Sequence, residues 1–172
     1  AINEVVKKQI KCLVIGPFSA QASGEYLSSG ASVLIGEPDT TFANQPEILY
    51  SITRHEYAEI ISPKATDIED NLDYLPRLRW DIVLKAIRPR MIFLGIGIAV
   101  PISASRGCPY SCFNYCTYPL QQGRKVRRFS AKRVVDDIEY YMKNLGIKRF
   151  LFRDPVFTID RSYVIDICKE II

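Results

Sequence analysis

The chain has 172 residues, 48% of them apolar and 24% charged, with a net charge of +4. This suits one or two domains with a buried core and gives none of the strong positive charge of a dedicated nucleic-acid binder. The apolar run Met91 to Ile102 is about half the roughly 20 residues that a membrane-spanning helix needs. The N-terminal "AINEVVKKQI" reads as a charged helix rather than a secretory signal. Five cysteines, an odd count with three tightly clustered, point to a reducing compartment and metal chemistry rather than a disulfide framework. The cytoplasm is the expected location.

Residues 2 to 10 place Ile2, Val5, Val6 and Ile10 at helical spacing. Lys11 to Ile15 follows as a short buried strand that stops at Gly16-Pro17. A Ser/Ala/Gln segment reads as helix through Tyr26 and Leu27, ended by Gly30. Ser32 to Ile35 is a second apolar run, ending in Gly36-Glu37-Pro38. Strand, helix, strand at this spacing predicts a βαβ unit and a parallel sheet. Residues 46 to 58 read as a further helix with Pro46 in its first turn. From Ser62 the stretch "SPKATDIEDNLDYLPRL" is polar, acidic and punctuated by proline, as a linker is. A short helix over Arg79 to Ile87 and the apolar run to Val100 lead to a run at Pro101 to Arg106.

The pattern downstream is plainer. Ser130 is a predicted N-cap, and Val134, Val135, Ile138, Tyr141, Met142 and Leu145 make one helical stripe closed by Gly146. "KRFLFRDP" reads as a strand covered on both faces. Asp160 or Thr158 then caps a last helix carrying Val164, Ile167, Cys168 and Ile171. Two βα units cannot close a barrel, so the chain is read as a fragment.

Between these regions lies "SRGCPYSCFNYCTY", with Cys108, Cys112 and Cys116 within nine residues. A structural zinc site takes four ligands, usually in two pairs. Here there are three thiols, and the single histidine, His55, is fifty residues away and reads as a surface helix residue. A 4Fe–4S cluster suits the donor set better, because thiolates are its normal ligands; structural zinc and unliganded thiols stay as alternatives. Cys12 and Cys168 read as small core residues.

"GCPYSCFNYC" resembles the cluster loop of radical S-adenosylmethionine enzymes, and "SRGCPYSC" resembles the members that also bind cobalamin. The family's usual spacing is three residues and then two, whereas this loop has three and three. The resemblance implies that Cys108, Cys112 and Cys116 bind a 4Fe–4S cluster whose open iron chelates S-adenosylmethionine. It places Tyr115 beside the adenine and makes Asp154, at the end of "FLFRD", a contact to S-adenosylmethionine. The plain reading of Asp154 is an acidic turn residue before Pro155. "LVIGPFSA", "ASVLIGEPD" and "LDYLP" resemble the cobalamin-binding domain that precedes the barrel in one large class. There Gly16, Gly36 and Glu37 would border the corrinoid, at the strand ends where open sheets bind ligands.

The expected fold is therefore α/β: a partial Rossmann-like cobalamin-binding domain over 1–62, a linker and connecting helix over 63–100, and the first βα units of a TIM-like barrel with the cluster loop over 101–172. The implied activity is cleavage of S-adenosylmethionine to a 5′-deoxyadenosyl radical in a cobalamin-dependent methyltransferase. The alternatives are a cyclase or rearrangement enzyme with a vestigial cobalamin domain, and a non-catalytic zinc module. The implied partners are a small-molecule or peptide substrate and an external electron donor of flavodoxin or ferredoxin type. "GRKVRRFSAKR" carries six basic residues, without the interleaved aromatics of a single-strand RNA surface. Arg124 or Arg127 is expected to pair with a carboxylate or phosphate, while Lys132 and Arg133 read as a solvated helix start. Neither nucleic acid nor membrane is an expected partner.

Overall fold

A computed structural model describes residues 2–54, 58–62, 71–95, 97–112 and 115–172. They divide into two compact units, Ala1–Asp70 with Gly107–Val126, and Asn71–Arg106 with Arg127–Ile172. No helix among the described residues is long and apolar enough to cross a membrane.

The first unit opens with helix α1 (Ile2–Lys7), strand β1 (Leu13–Val14), helix α2 (Ser23–Ser28) and strand β2 (Ser32–Leu34). Helices α3 (Pro38–Asn44) and α4 (Glu47–Arg54) and strand β3 (Ile60–Ile61) follow. The expected parallel sheet is present: β2 lies between β1 and β3 and pairs in parallel with both, Leu13 opposite Ser32 and Val33 opposite Ile60. Being central, β2 is buried at every position, and Ala31, Val33 and Leu34 are inaccessible to solvent. Val33 and Leu34 each contribute about 1.5–3 kcal/mol on burial. Helix α3 is missing from the sequence reading, although Glu37-Pro38 carries its signal, an extended N-cap residue followed by proline in the first turn. His55 lies outside the described residues.

In the second unit the stretch read as an open linker is packed from Asn71 onward. The Asn71 side chain accepts from the Asp73 amide at the start of a 3-10 turn, Leu72–Tyr74, and Leu72 and Leu75 are buried. The Asp73 carboxylate accepts the Ser130 amide at 2.8 Å. Helix α5 (Trp80–Phe93) runs past the Ile87 boundary read from sequence. Pro89 removes one backbone donor but does not end it, a cost that packing can offset; Leu84 of this helix lies in the core.

Strand β4 (Val100–Ile102) and strand β5 (Ser105–Arg106) come next, then helix α6 (Tyr118–Gln122) within the first unit. The second unit resumes with β6 (Arg127–Arg128), α7 (Ala131–Leu145), β7 (Phe150–Phe152) and α8 (Arg161–Ile171). β4 and β7 are parallel and in register, Val100 opposite Phe150 and Ile102 opposite Phe152. This is the expected strand–loop–helix–strand–helix order, but the described residues of this unit show one parallel pair, β4 and β7, and no closed barrel. Their core joins Leu84, Val100, Ile102, Tyr141 and Ile147, with Trp80, Ile138, Phe150 and Phe152 packed against it.

Helix α7 ends as its sequence predicts. The Ser130 hydroxyl accepts the Arg133 amide at 3.1 Å. Gly146 is left-handed at φ 64°, and its amide donates back to the Met142 carbonyl at 3.2 Å, an αL closure, with the Ile147 amide on the Tyr141 carbonyl at 3.3 Å. Asp160, not Thr158, caps α8.

Some burial expectations fail. Met142 is 51% exposed, although Val135, seven residues earlier on the same side of α7, is buried. Leu151 is also 51% exposed: β7 alternates its side chains and covers one face only. Cys168 is exposed, one position past the buried Ile167, and Cys12 is half-buried. Arg133 is not a solvated helix residue. Its guanidinium donates to the Asp73 and Leu75 carbonyls at 2.6 and 2.9 Å and pairs with Asp137 at 3.1 Å, tying the "LDYLP" stretch to α7.

Candidate functional site

The cysteine loop is built at its base by two glycines. Gly107 has φ 86°, and a Cβ there would stand 2.0 Å from the Lys125 carbonyl oxygen, so only glycine allows the two strands of the loop to meet. The Gly107 amide donates to the Gln122 side-chain oxygen and the Cys108 amide to the Gly123 carbonyl, each at 3.1 Å. Gly123, at φ 76°, ends α6 and turns the chain back toward this junction. α6 begins after Thr117, whose carbonyl accepts from the Leu120 and Gln121 amides, with Pro119 in the first turn.

A third tie lies further along the loop. One guanidinium nitrogen of Arg124, Nη1, donates to the Tyr110 carbonyl at 3.2 Å and to the Ser111 hydroxyl at 2.9 Å. Arg124, expected to meet a carboxylate or phosphate, holds a backbone carbonyl and a serine hydroxyl between Cys108 and Cys112. Arg127, its alternative in that reading, is buried on β6 opposite Arg106.

Cys108 is buried and Cys112 and Cys116 are half-buried; all three are free thiols. The Tyr115 amide donates to the Cys112 carbonyl at 3.2 Å, and the Tyr115 ring is 74% exposed. Phe113 and Asn114, the extra length of the three-and-three spacing, lie outside the described residues. Among the described residues, no three His, Cys, Asp or Glu side chains are gathered closely enough to hold a single metal ion. Cys108, Cys112 and Cys116 are thus not brought together as a single-ion site; their donor set is thiols alone, the normal ligand type of an iron–sulfur cluster.

Asp154 lies just beyond β7, and its carboxylate is engaged by the neighbouring β4–β5 turn. Oδ1 accepts from the Ala104 amide at 3.0 Å, from the Ser105 hydroxyl at 2.6 Å and from the Ser105 amide. Oδ2 accepts the Ala104 amide at 3.2 Å. Ala104 and Ser105 are buried, so these donors have no water to turn to. The turn is held from its other side by Tyr163, whose hydroxyl lies 2.9 Å from the Ala104 carbonyl and 2.7 Å from that of Phe129. Burial, reinforced by the Asp154 charge, pushes the Tyr163 phenol well above its ordinary pKa, so it stays protonated as a donor. Sequence alone marked Asp154 but missed Ser105 and Tyr163, since nothing local in "ASR" or "SYV" signals a partner fifty residues away.

In the first unit, Gly16 and Gly36 stand just past the C-terminal ends of β1 and β2 with φ 115° and 114°, conformations that favour glycine. A Cβ on Gly16 would meet nothing within 4 Å, so the strand end is open there. The Ser19 hydroxyl, buried, lies 2.7 Å from the Gly16 carbonyl and 2.6 Å from that of Leu34, joining the two strand ends. Glu37 is also buried, and its carboxylate accepts from the Thr40 hydroxyl at 2.8 Å at the start of α3.

No protein-family model matches the chain. Over 150 residues, 81% of its length, the chain is 25% identical to an uncharacterized methyltransferase of Pyrococcus horikoshii, covering 31% of that protein. Over 79 residues, 46% of its length, it is 34% identical to the anaerobic magnesium-protoporphyrin IX monomethyl ester cyclase of Cereibacter sphaeroides, covering 12%. Over 72 residues, 41% of its length, it is 31% identical to the bacteriochlorophyllide d C-12(1)-methyltransferase of Chlorobaculum tepidum, covering 16%. The chain spans less than a third of the length of each of these curated relatives. The chain is thus similar to enzymes, and methyl transfer is the activity named for two of the three.

Proposed function

We propose that this chain is the cluster-bearing part of a radical S-adenosylmethionine enzyme, and that the whole protein is a cobalamin-dependent methyltransferase of the cytoplasm. The observation that carries the reading is the loop itself: three free thiols within nine residues, on a span closed at its base by Gly107 and Gly123. The likeness to proteins named as methyltransferases supports it. Bound by three thiolates, a 4Fe–4S cluster leaves one iron open for S-adenosylmethionine and supplies the electron that cleaves it to a 5′-deoxyadenosyl radical, with cobalamin as the methyl carrier.

This chain's own residues then have defined tasks. Cys108, Cys112 and Cys116 hold the cluster, and Tyr115, its ring exposed, is free to lie against the adenine. Gly16, Gly36 and Glu37 border the corrinoid at the strand ends, a reading supported by the absence of any atom within 4 Å of a Cβ placed on Gly16. Asp154 keeps its oxygens on Ala104 and Ser105, so any contact it makes to S-adenosylmethionine uses Oδ2, the less occupied of the two. The electron comes from an external donor of flavodoxin or ferredoxin type. A second reading, a ring-forming radical enzyme with a vestigial cobalamin domain, is favoured by the likeness to the named cyclase.

The test is spectroscopic. After anaerobic loading with iron and sulfide and reduction, addition of S-adenosylmethionine shifts the cluster's paramagnetic resonance signal, and Cys112→Ala abolishes that signal. A loaded, reduced protein whose signal does not respond to S-adenosylmethionine overturns the proposal. Retention of a corrinoid by the full-length protein separates the methyltransferase from the cyclase.

A further inference from the structure

Arg124 sits eight residues past the last cysteine, yet its side chain reaches back thirteen and fourteen positions to Ser111 and Tyr110. Those two residues lie between Cys108 and Cys112. The near end of that span is fixed by the Gly107 and Cys108 amides, on Gln122 and Gly123. Among the described residues, the Arg124 contacts are the hydrogen bonds that hold Tyr110 and Ser111 to the returning arm, and both are exposed. A guanidinium is planar, permanently charged and carries two N–H bonds on each terminal nitrogen, so Nη1 alone can serve both acceptors.

We propose that Arg124 is a positioning residue for the cysteine loop: it fixes the Tyr110–Ser111 span and thereby the placement of the Cys112 thiol relative to Cys108. The role toward a cluster rests on the proposed function above; the anchoring of the loop does not. Arg124 need not touch the cluster or S-adenosylmethionine. It acts through the backbone that carries a ligand, as the partners that orient metal ligands do in other centres.

The experiment compares wild type, Arg124→Ala, Arg124→Lys and Ser111→Ala in two states. In the metal-free protein, the rate at which each cysteine reacts with a disulfide reagent is read by peptide mapping, with exposed Cys168 on α8 as the internal reference. Loss of two charge-assisted bonds raises Cys112 labelling about fivefold to tenfold in Arg124→Ala, with Cys168 unchanged and Arg124→Lys restoring part of the difference. Ser111→Ala, which keeps the Tyr110 contact, moves it about twofold. In the iron-loaded protein, Arg124→Ala releases iron to a chelator several-fold faster than wild type and, after reduction, broadens the paramagnetic resonance signal. Cys112 labelling equal to wild type in Arg124→Ala overturns the proposal. A wild type that takes up no iron removes the cluster reading, while the labelling result still decides the anchoring.

Discussion

Truncating Asp154 tests whether this carboxylate holds the second unit together. In Asp154→Ala, two backbone amides and one hydroxyl, from Ala104 and Ser105, lose their acceptor. Hydrogen bonds to a charged group contribute about 1.5–3 kcal/mol each, and a buried donor left unpaired costs about 1–3 kcal/mol. Three donors share essentially one oxygen, so their contributions overlap, and a total of about 3 kcal/mol is expected. Asp154→Asn keeps an acceptor oxygen but loses the charge and costs about 1–1.5 kcal/mol, and Ser105→Ala, which removes one donor, about 1 kcal/mol. The protein's single tryptophan, Trp80, packs against the core of this same unit and reports its unfolding in urea by fluorescence. A loss of less than about 0.5 kcal/mol in Asp154→Ala refutes the clamp. If that variant is as stable as wild type but binds S-adenosylmethionine less tightly, the residue belongs to ligand binding alone.

Gly107→Ala forces a left-handed residue and a 2.0 Å approach to the Lys125 carbonyl; it should cost about 2 kcal/mol or more and suppress iron uptake, measured as iron per chain. Ser130→Ala removes the cap of α7 and should cost about 1 kcal/mol by Trp80 fluorescence in urea. The Tyr141 phenol, buried against the core, is pushed up to about 12, so it favours the folded state fully below pH 10 and loses that contribution as pH rises through 12. The drop in urea midpoint from pH 9 to pH 11.5 should accordingly be smaller in Tyr141→Phe than in wild type. Cys168→Ser should leave iron content unchanged, because that thiol is exposed on α8.

Local signals were the most legible. The cap pair Ser130 and Gly146 placed α7, and the glycine-ended apolar runs placed β1 and β2 in a parallel sheet, because each depends on residues within a few positions. The cysteines announced themselves by number and spacing. What stayed hidden was long-range. Arg133 reads as a solvated helix residue until the "LDYLP" carbonyls are found against it, sixty and fifty-eight positions back. Arg124 reads as an anion binder until its contacts to Tyr110 and Ser111 are seen. The same charge pattern serves solvent, ligand or backbone, and only the fold decides which. Exposure of Leu151 and Met142 went unread for a related reason: periodicity gives the faces of an element but not how far its neighbours extend.

The most direct test of the central claim is the metal content of the protein itself. After anaerobic incubation with iron and sulfide, wild type should hold about four irons and four sulfides per chain, with Cys108→Ala, Cys112→Ala and Cys116→Ala each markedly depleted. A colourless protein carrying one zinc per chain and no iron would contradict it.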